Sequence, residues 1–180
     1  DVDAALAGEP RVLLATEGAN FLEGQPERLQ EAHRWGVRHV QLVHFIQSPL
    51  GDHQTANPAH GGLTPLGAQV VAECKRLGMV VDMAHGTAAL VDGVLDAADA
   101  VPVWSHSWIS PQGGDWQEPG YIARSLAPAT ARKIAARGGA VGLWSVRVNR
   151  DPAYPVHSVK TYADEIVRMC ELIGPAHVAF

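Results

Sequence analysis

The chain has 180 residues, 47% hydrophobic and 18% charged, with a formal net charge of −5. This describes one globular domain, residues 1–180, with enough apolar material for a sizeable core. The acidic balance argues against nucleic acid as a partner, because phosphate binding needs clustered Lys and Arg, and no apolar run is long enough to span a bilayer.

Strands and helices alternate along the chain. "RVLLATEG" (11–18) reads as a buried strand, and "QPERLQEAHRWG" (25–36) as a helix with Pro26 in its first turn and Gly36 at its end. "VRHVQLVHF" (37–45) is the next strand. The stretch "IQSPLGDHQTANPAHGG" is too polar for core and is expected to lie over one end of the fold. Thr64 and Pro65 start a helix that stops at Gly78, "MVVDMAH" returns to strand, and Thr87 caps "AALVDGVLDAA". "VPVWSHS" is a strand, followed by the loop "WISPQGGDWQEPGY", the helix "PATARKIAARGG" and the strand "AVGLWS". A helix over 158–173 closes on Gly174 and leads into "HVAF". Cys74 and Cys170 fall in helical stretches and are read as buried free thiols, too few for a disulfide framework.

Six buried strands separated by five helices predict parallel strands with helices outside. No glycine-rich phosphate loop follows any strand, so a nucleotide-binding open sheet loses ground to a (β/α)₈ TIM barrel. Such barrels usually need ~250 residues, so the chain is expected to be a barrel truncated at both termini.

In a barrel, functional side chains come from the C-terminal ends of the strands. Those positions hold Glu17, His44, His85, His106 and Ser145. Neutral imidazole and carboxylate are the donors a divalent transition metal takes, and a carboxylate can bridge two ions. One histidine at a strand end is ordinarily structural; a run of four such ends points to a metal site. His33, His39, His157 and His177 follow no such pattern, and lining a pocket is the minor reading for His53 and His60.

The segments "TEGANFLEG", "GVRHVQLVHF", "GLTPLGAQVVAECKRLGMVVDMAH", "VPVWSHS" and "ARSLAPATARKIAARGGAVGL" resemble consecutive parts of the membrane (renal) dipeptidase family of zinc peptidases, (β/α)₈ barrels of the amidohydrolase type. The resemblance implies a zinc-dependent hydrolysis of dipeptides, including those with C-terminal D-residues, by metal-activated water. It implies Glu17 as the carboxylate bridging two Zn²⁺ ions and His85 and His106 as further ligands of the second. His44 would contact substrate and help stabilise the tetrahedral intermediate, and Arg124 would hold the substrate's carboxylate.

Two departures stand out. The family's first zinc also uses a His-x-Asp pair, and "DVDAALAGEP" holds Asp1 and Asp3 but no His. The family's catalytic aspartate follows the strand that ends here at Phe180. The 107–123 loop looks long and adds Trp108, Trp116 and Tyr121, which either pack within the loop or wall the substrate. A related amidohydrolase acting on another amide or lactone, or a catalytically incomplete fragment, are the competing expectations. Homodimerisation and the compartment, cytoplasmic or extracytoplasmic, stay open.

Overall fold

The computed structural model describes residues 6–10, 12–97, 101–119, 121–146 and 153–180. Asp1, Asp3, Arg11 at the start of the first expected strand, and Gly120 in the aromatic loop lie outside the described residues. Six strands lie side by side in chain order: β1 (Leu14–Thr16), β2 (Val37–Gln41), β3 (Val80–Asp82), β4 (Val103–Ser107), β5 (Ala140–Leu143) and β6 (Val178–Ala179). Every neighbouring pair is parallel. One helix fills each connection: α1 (Arg28–Arg34), α2 (Pro65–Leu77), α3 (Ala88–Ala97), α4 (Pro128–Ala136) and α5 (Val159–Ile173). Parallel neighbours in unbroken chain order form the curled sheet of a barrel; a doubly wound sheet would reverse its order part-way. The expected barrel architecture is present as six consecutive strands.

Local chemistry explains the helix boundaries. Thr64 Oγ1 accepts the Gly67 N–H at 3.0 Å, Pro65 takes the first turn, and Gly78 ends α2 in the left-handed region at φ 68°. Thr87 Oγ1 accepts from Leu90 N at 3.2 Å, and Ser158 with Thr161 forms a capping box for α5. Helix α1 starts at Arg28, two residues after Pro26, and Glu27 makes no side-chain cap.

The strands sort their side chains by parity. Val40, Val81, Trp104 and Val141 are at most 1% exposed and share one core with Val70, Val71 and Cys74 of α2, Val91 of α3, Ile134 of α4 and Met169 of α5. Each such aliphatic burial contributes about 1.5–3 kcal/mol. The opposite parity is polar: His39, Gln41, Asp82 and Ser105 line a cavity of about 360 Å³ with Glu17, His106 and Trp144. These groups are satisfied internally. Asp82 Oδ2 lies 2.9 Å from His39 Nε2, and Asp82 Oδ1 accepts from Ala84 N and Ser105 N.

The 46–62 stretch departs from expectation. Leu50, Asp52, His53 and Gln54 are all less than a tenth exposed, and Leu50 belongs to the core. The stretch can be buried because its polar groups find partners. The Asp52 carboxylate accepts the N–H groups of Ala59, His60 and Gly62 at 2.7–3.1 Å. Burial alone pushes the Asp52 carboxyl up, but the backbone donors from Gly62, Ala59 and His60 prevail and hold it below the usual carboxylate value. A carboxyl depressed in the folded state stabilises the protein above the unfolded pKa, and that contribution is lost as pH falls through the folded one. Asp52→Ala should therefore cost about 2 kcal/mol or more in urea unfolding at neutral pH, with the deficit shrinking in acid. A deficit below about 0.5 kcal/mol at neutral pH would contradict this account.

Candidate metal centre

Glu17 follows β1 directly, His106 lies in β4, and His44 and His85 each stand three residues beyond their strands. All four converge. Glu17 Oε1 lies 3.2 Å from His85 Nε2, 3.3 Å from His106 Nε2 and 3.4 Å from His44 Nε2. The Nε2 atoms of His85 and His106 are 3.1 Å apart. Gly18, at φ 84°, lets the end of β1 come this close, since a Cβ there would stand 3.2 Å from His44 Cβ.

His85 reaches the site through a left-handed backbone conformation, φ 71°, which costs a non-glycine residue about 1–2 kcal/mol. Hydrogen bonds on both sides hold the turn: Gly86 N to Met83 O at 2.9 Å, Gln54 N to His85 O at 2.7 Å, and Thr87 N to Asp52 O at 3.1 Å. The buried 46–62 stretch thus supports the turn at His85 directly. His106 is set by its neighbour, with Ser105 Oγ 2.7 Å from Nδ1. A hydroxyl accepting the Nδ1 proton leaves Nε2 with its lone pair toward Glu17.

Electrostatics favour neutral imidazoles. Burial, with the charge of Arg124 next, pushes His85 down to about 2. The same two causes lower His106, against the opposing pull of Asp82 and Glu17. A cation-binding histidine must be unprotonated, and this environment keeps both rings in the form that could bind one.

The donor set also fits a metal geometrically. One atom each from Glu17, His85 and His106 falls within 4.8 Å of the others. Donors bonded to zinc at 2.0–2.1 Å stand about 3.3 Å apart in a tetrahedron, close to the observed spacings.

Arg124 is 2% exposed. Its Cζ lies 5.8 Å from the Phe45 ring centre and 5.9 Å from that of Trp144, close to the limit for cation–π attraction. Burial pushes the guanidinium down to about 10 despite Glu17 and Asp82, so it stays cationic at neutral pH. Its Nη1 donates to Gln54 Oε1, while Nε and Nη2 are buried without a hydrogen-bond partner among the described residues.

Phe45 packs edge-on against His85 at 4.8 Å, and Trp144 lies 5.9 Å from both His106 and Tyr121. Ser145 is exposed and lines a separate cavity with Val156 and His157, so its neighbour Trp144 takes the position at the site. Trp108 is 2% exposed and packs on Tyr154 at 4.8 Å, which makes it a core residue and no part of a substrate wall. Sequence reasoning passed over Phe45, Trp144, Ser105 and Gln54. The first three adjoin residues it had already chosen; nothing local marks Gln54.

A family model for the membrane dipeptidases, peptidase family M19, matches residues 2–180. The chain belongs to that family. Family relatives include dipeptidase verJ of Clonostachys rogersoniana, 27% identical over 96% of this chain and 42% of its own length. Dipeptidase aclJ of Aspergillus oryzae is 35% identical over 53% of this chain and 23% of its own length. The chain spans less than half the length of these curated relatives. Among solved structures, an amidohydrolase from Pseudomonas aeruginosa matches 98% of this chain and 51% of its own, with a TM-score of 0.82 at 22% identity. A metallopeptidase from Rhodobacter sphaeroides, solved with a phosphinate mimic of L-Ala-D-Ala, matches 92% of this chain and 48% of its own, with a TM-score of 0.74 at 21% identity. At these identities the structural likeness shows the fold. Membership of this metallopeptidase family implies a metal. Among the described residues, no helix is long and apolar enough to cross a membrane.

Two outcomes follow. Zinc should raise the melting temperature and a chelator reverse it, because metal bound to the native state adds to folding stability. His106→Ala should abolish that shift. His177→Ala should keep it, since His177 Nδ1 meets Gly139 O at 2.8 Å, outside the donor set; equal loss in both variants would contradict the assignment. In metal-free protein, the unfolded chain protonates at position 85 below about pH 6.5 while the folded one does not. Stability should then fall from pH 7 to 5, by up to about 1.4 kcal/mol per pH unit from this group. His85→Gln should flatten the slope in urea unfolding; an unchanged slope would count against a buried neutral imidazole.

Proposed function

We propose that this chain acts as a zinc-dependent dipeptidase, hydrolysing the peptide bond of dipeptides with a free C-terminal carboxylate, D-residues included at that end. The observation that carries the reading is the pairing of two features in one space. Glu17, His85 and His106 offer a compact metal-donor set, and beside it the buried cation of Arg124 has two N–H groups without partners among the described residues.

Glu17, His85 and His106 would hold a zinc ion. When bound, zinc supplies polarisation of the scissile carbonyl and a water-derived nucleophile at neutral pH. The protein's own groups do the rest. Arg124 anchors the substrate carboxylate through a planar pair of N–H donors. His44, 32% exposed and 3.4 Å from Glu17 Oε1, would donate a hydrogen bond to the oxygen that gains charge as the carbonyl is attacked. Phe45 and Trp144 flank the guanidinium and keep water from it.

The test is an assay of the zinc-loaded protein with L-Ala-D-Ala, L-Ala-L-Ala, an N-acyl amino acid and a lactone. Hydrolysis of both dipeptides, stopped by a chelator, is expected. Arg124→Met should raise KM about ten-fold or more, and His44→Ala should lower kcat about 10²–10³-fold. Preference for the acyl amino acid or the lactone would favour a related amidohydrolase. Zinc binding without turnover of any of the four would mean that this chain's catalytic set is incomplete.

A further inference from the structure

Arg124 and Gln54 are both nearly inaccessible, at 2% and 1% exposure. Gln54 is held at three points. Its backbone N–H donates to His85 O at 2.7 Å, its Nε2 donates to Ser125 O at 2.9 Å, and its Oε1 accepts from Arg124 Nη1. The carbonyl of Ser125 can only accept, so it must face the NH₂ end of the amide, and Oε1 is left to meet the guanidinium. The orientation of the amide is therefore fixed by chemistry.

The bond to Nη1 occupies one corner of the guanidinium. The edge that remains carries Nε–H and Nη2–H, the two parallel donors that grip a carboxylate side-on, and neither has a partner among the described residues. Leaving such donors buried and unpaired is costly, because each has given up its hydrogen bonds to water. An incoming carboxylate would recover that cost.

We propose that Gln54 is a positioning residue for carboxylate capture: its neutral amide aims Arg124 without cancelling its charge, which leaves the buried Nε/Nη2 edge unpaired for the anionic end of the substrate. This rests on the reading of Arg124 as the carboxylate anchor. The amide matters because an acid in its place would form an internal ion pair with Arg124 and compete with the substrate. It would also set a second oxygen against the Ser125 carbonyl. Because the same residue bonds to His85 O, the anchor and the metal-ligand turn are held at a fixed separation, as a substrate reaching both requires.

The experiment titrates metal-free protein, with a chelator present so that zinc offers no second carboxylate acceptor, and follows binding by NMR. The probes are N-acetyl-D-alanine and its carboxamide. Wild type should prefer the acid about ten-fold or more, the size of one charge-assisted bidentate contact. Gln54→Glu should bring the ratio to about one, and Gln54→Met should weaken the acid about five-fold or more while leaving the amide unchanged. Zinc affinity, measured by competition with a chromophoric chelator, should stay within about two-fold in both variants, which a general loosening of the 46–62 stretch would not allow.

An acid preference kept by Gln54→Glu overturns the proposal, as does wild-type affinity for the acid in Gln54→Met, which decides alone if the glutamate variant does not fold. A parallel loss of acid, amide and zinc binding would show a merely structural residue and also overturns it. Wild type without an acid preference would instead refute the carboxylate reading of Arg124, and the proposal with it.

Discussion

Two imidazole nitrogens 3.1 Å apart, with a carboxylate oxygen 3.2–3.3 Å from each, form a cluster that a folded chain has no reason to assemble for stability. Burying the rings works against their protonation, and His85 in particular is held far below its ordinary value. The cluster persists because the scaffold over-determines it. Parallel strands bring their ends to one rim, Gly18 closes the gap between β1 and β2, and hydrogen bonds from Gln54 and Gly86 lock the strained turn at His85. A site that is costly without an ion and spaced for one is the physical core of this molecule.

The support for that site reaches into parts of the chain with no chemistry of their own. Asp52 gathers three backbone N–H groups and, through its carbonyl, holds Thr87 at the start of α3. Gln54 joins the turn at His85 to Arg124. Asp82 ties β3 to β4 through Ser105 N, and the hydroxyl of that serine meets His106. The polar lining of the sheet and the buried stretch before α2 therefore serve a shared purpose: they fix the donors on rigid elements, which a metal site needs before it binds anything.

Much of this could be read in advance because its signals are local. The alternation of apolar runs and capped helices gave the order of elements, with Thr64, Thr87 and Gly78 marking boundaries where the structure has them. Histidines at the ends of apolar runs identified the rim. What escaped depends on partners distant in sequence. Asp52 and Gln54 sit in a segment whose composition suggests exposure, and their burial is intelligible only with Gly62 and Arg124 in place. Trp144 and Ser145 were separable by parity alone, and a strand whose end is uncertain by one residue gives no such warning. Family membership implies a metal; that Glu17, His85 and His106 offer a donor set for one comes from the distances among them.

The most direct measurement is anomalous diffraction at the zinc edge from crystals of the zinc-loaded protein. The account predicts a peak within about 2.0–2.2 Å of Glu17 Oε1, His85 Nε2 and His106 Nε2 together. A zinc ion bound elsewhere on the chain with these three atoms untouched, or bound through the Nδ1 atoms, would contradict it.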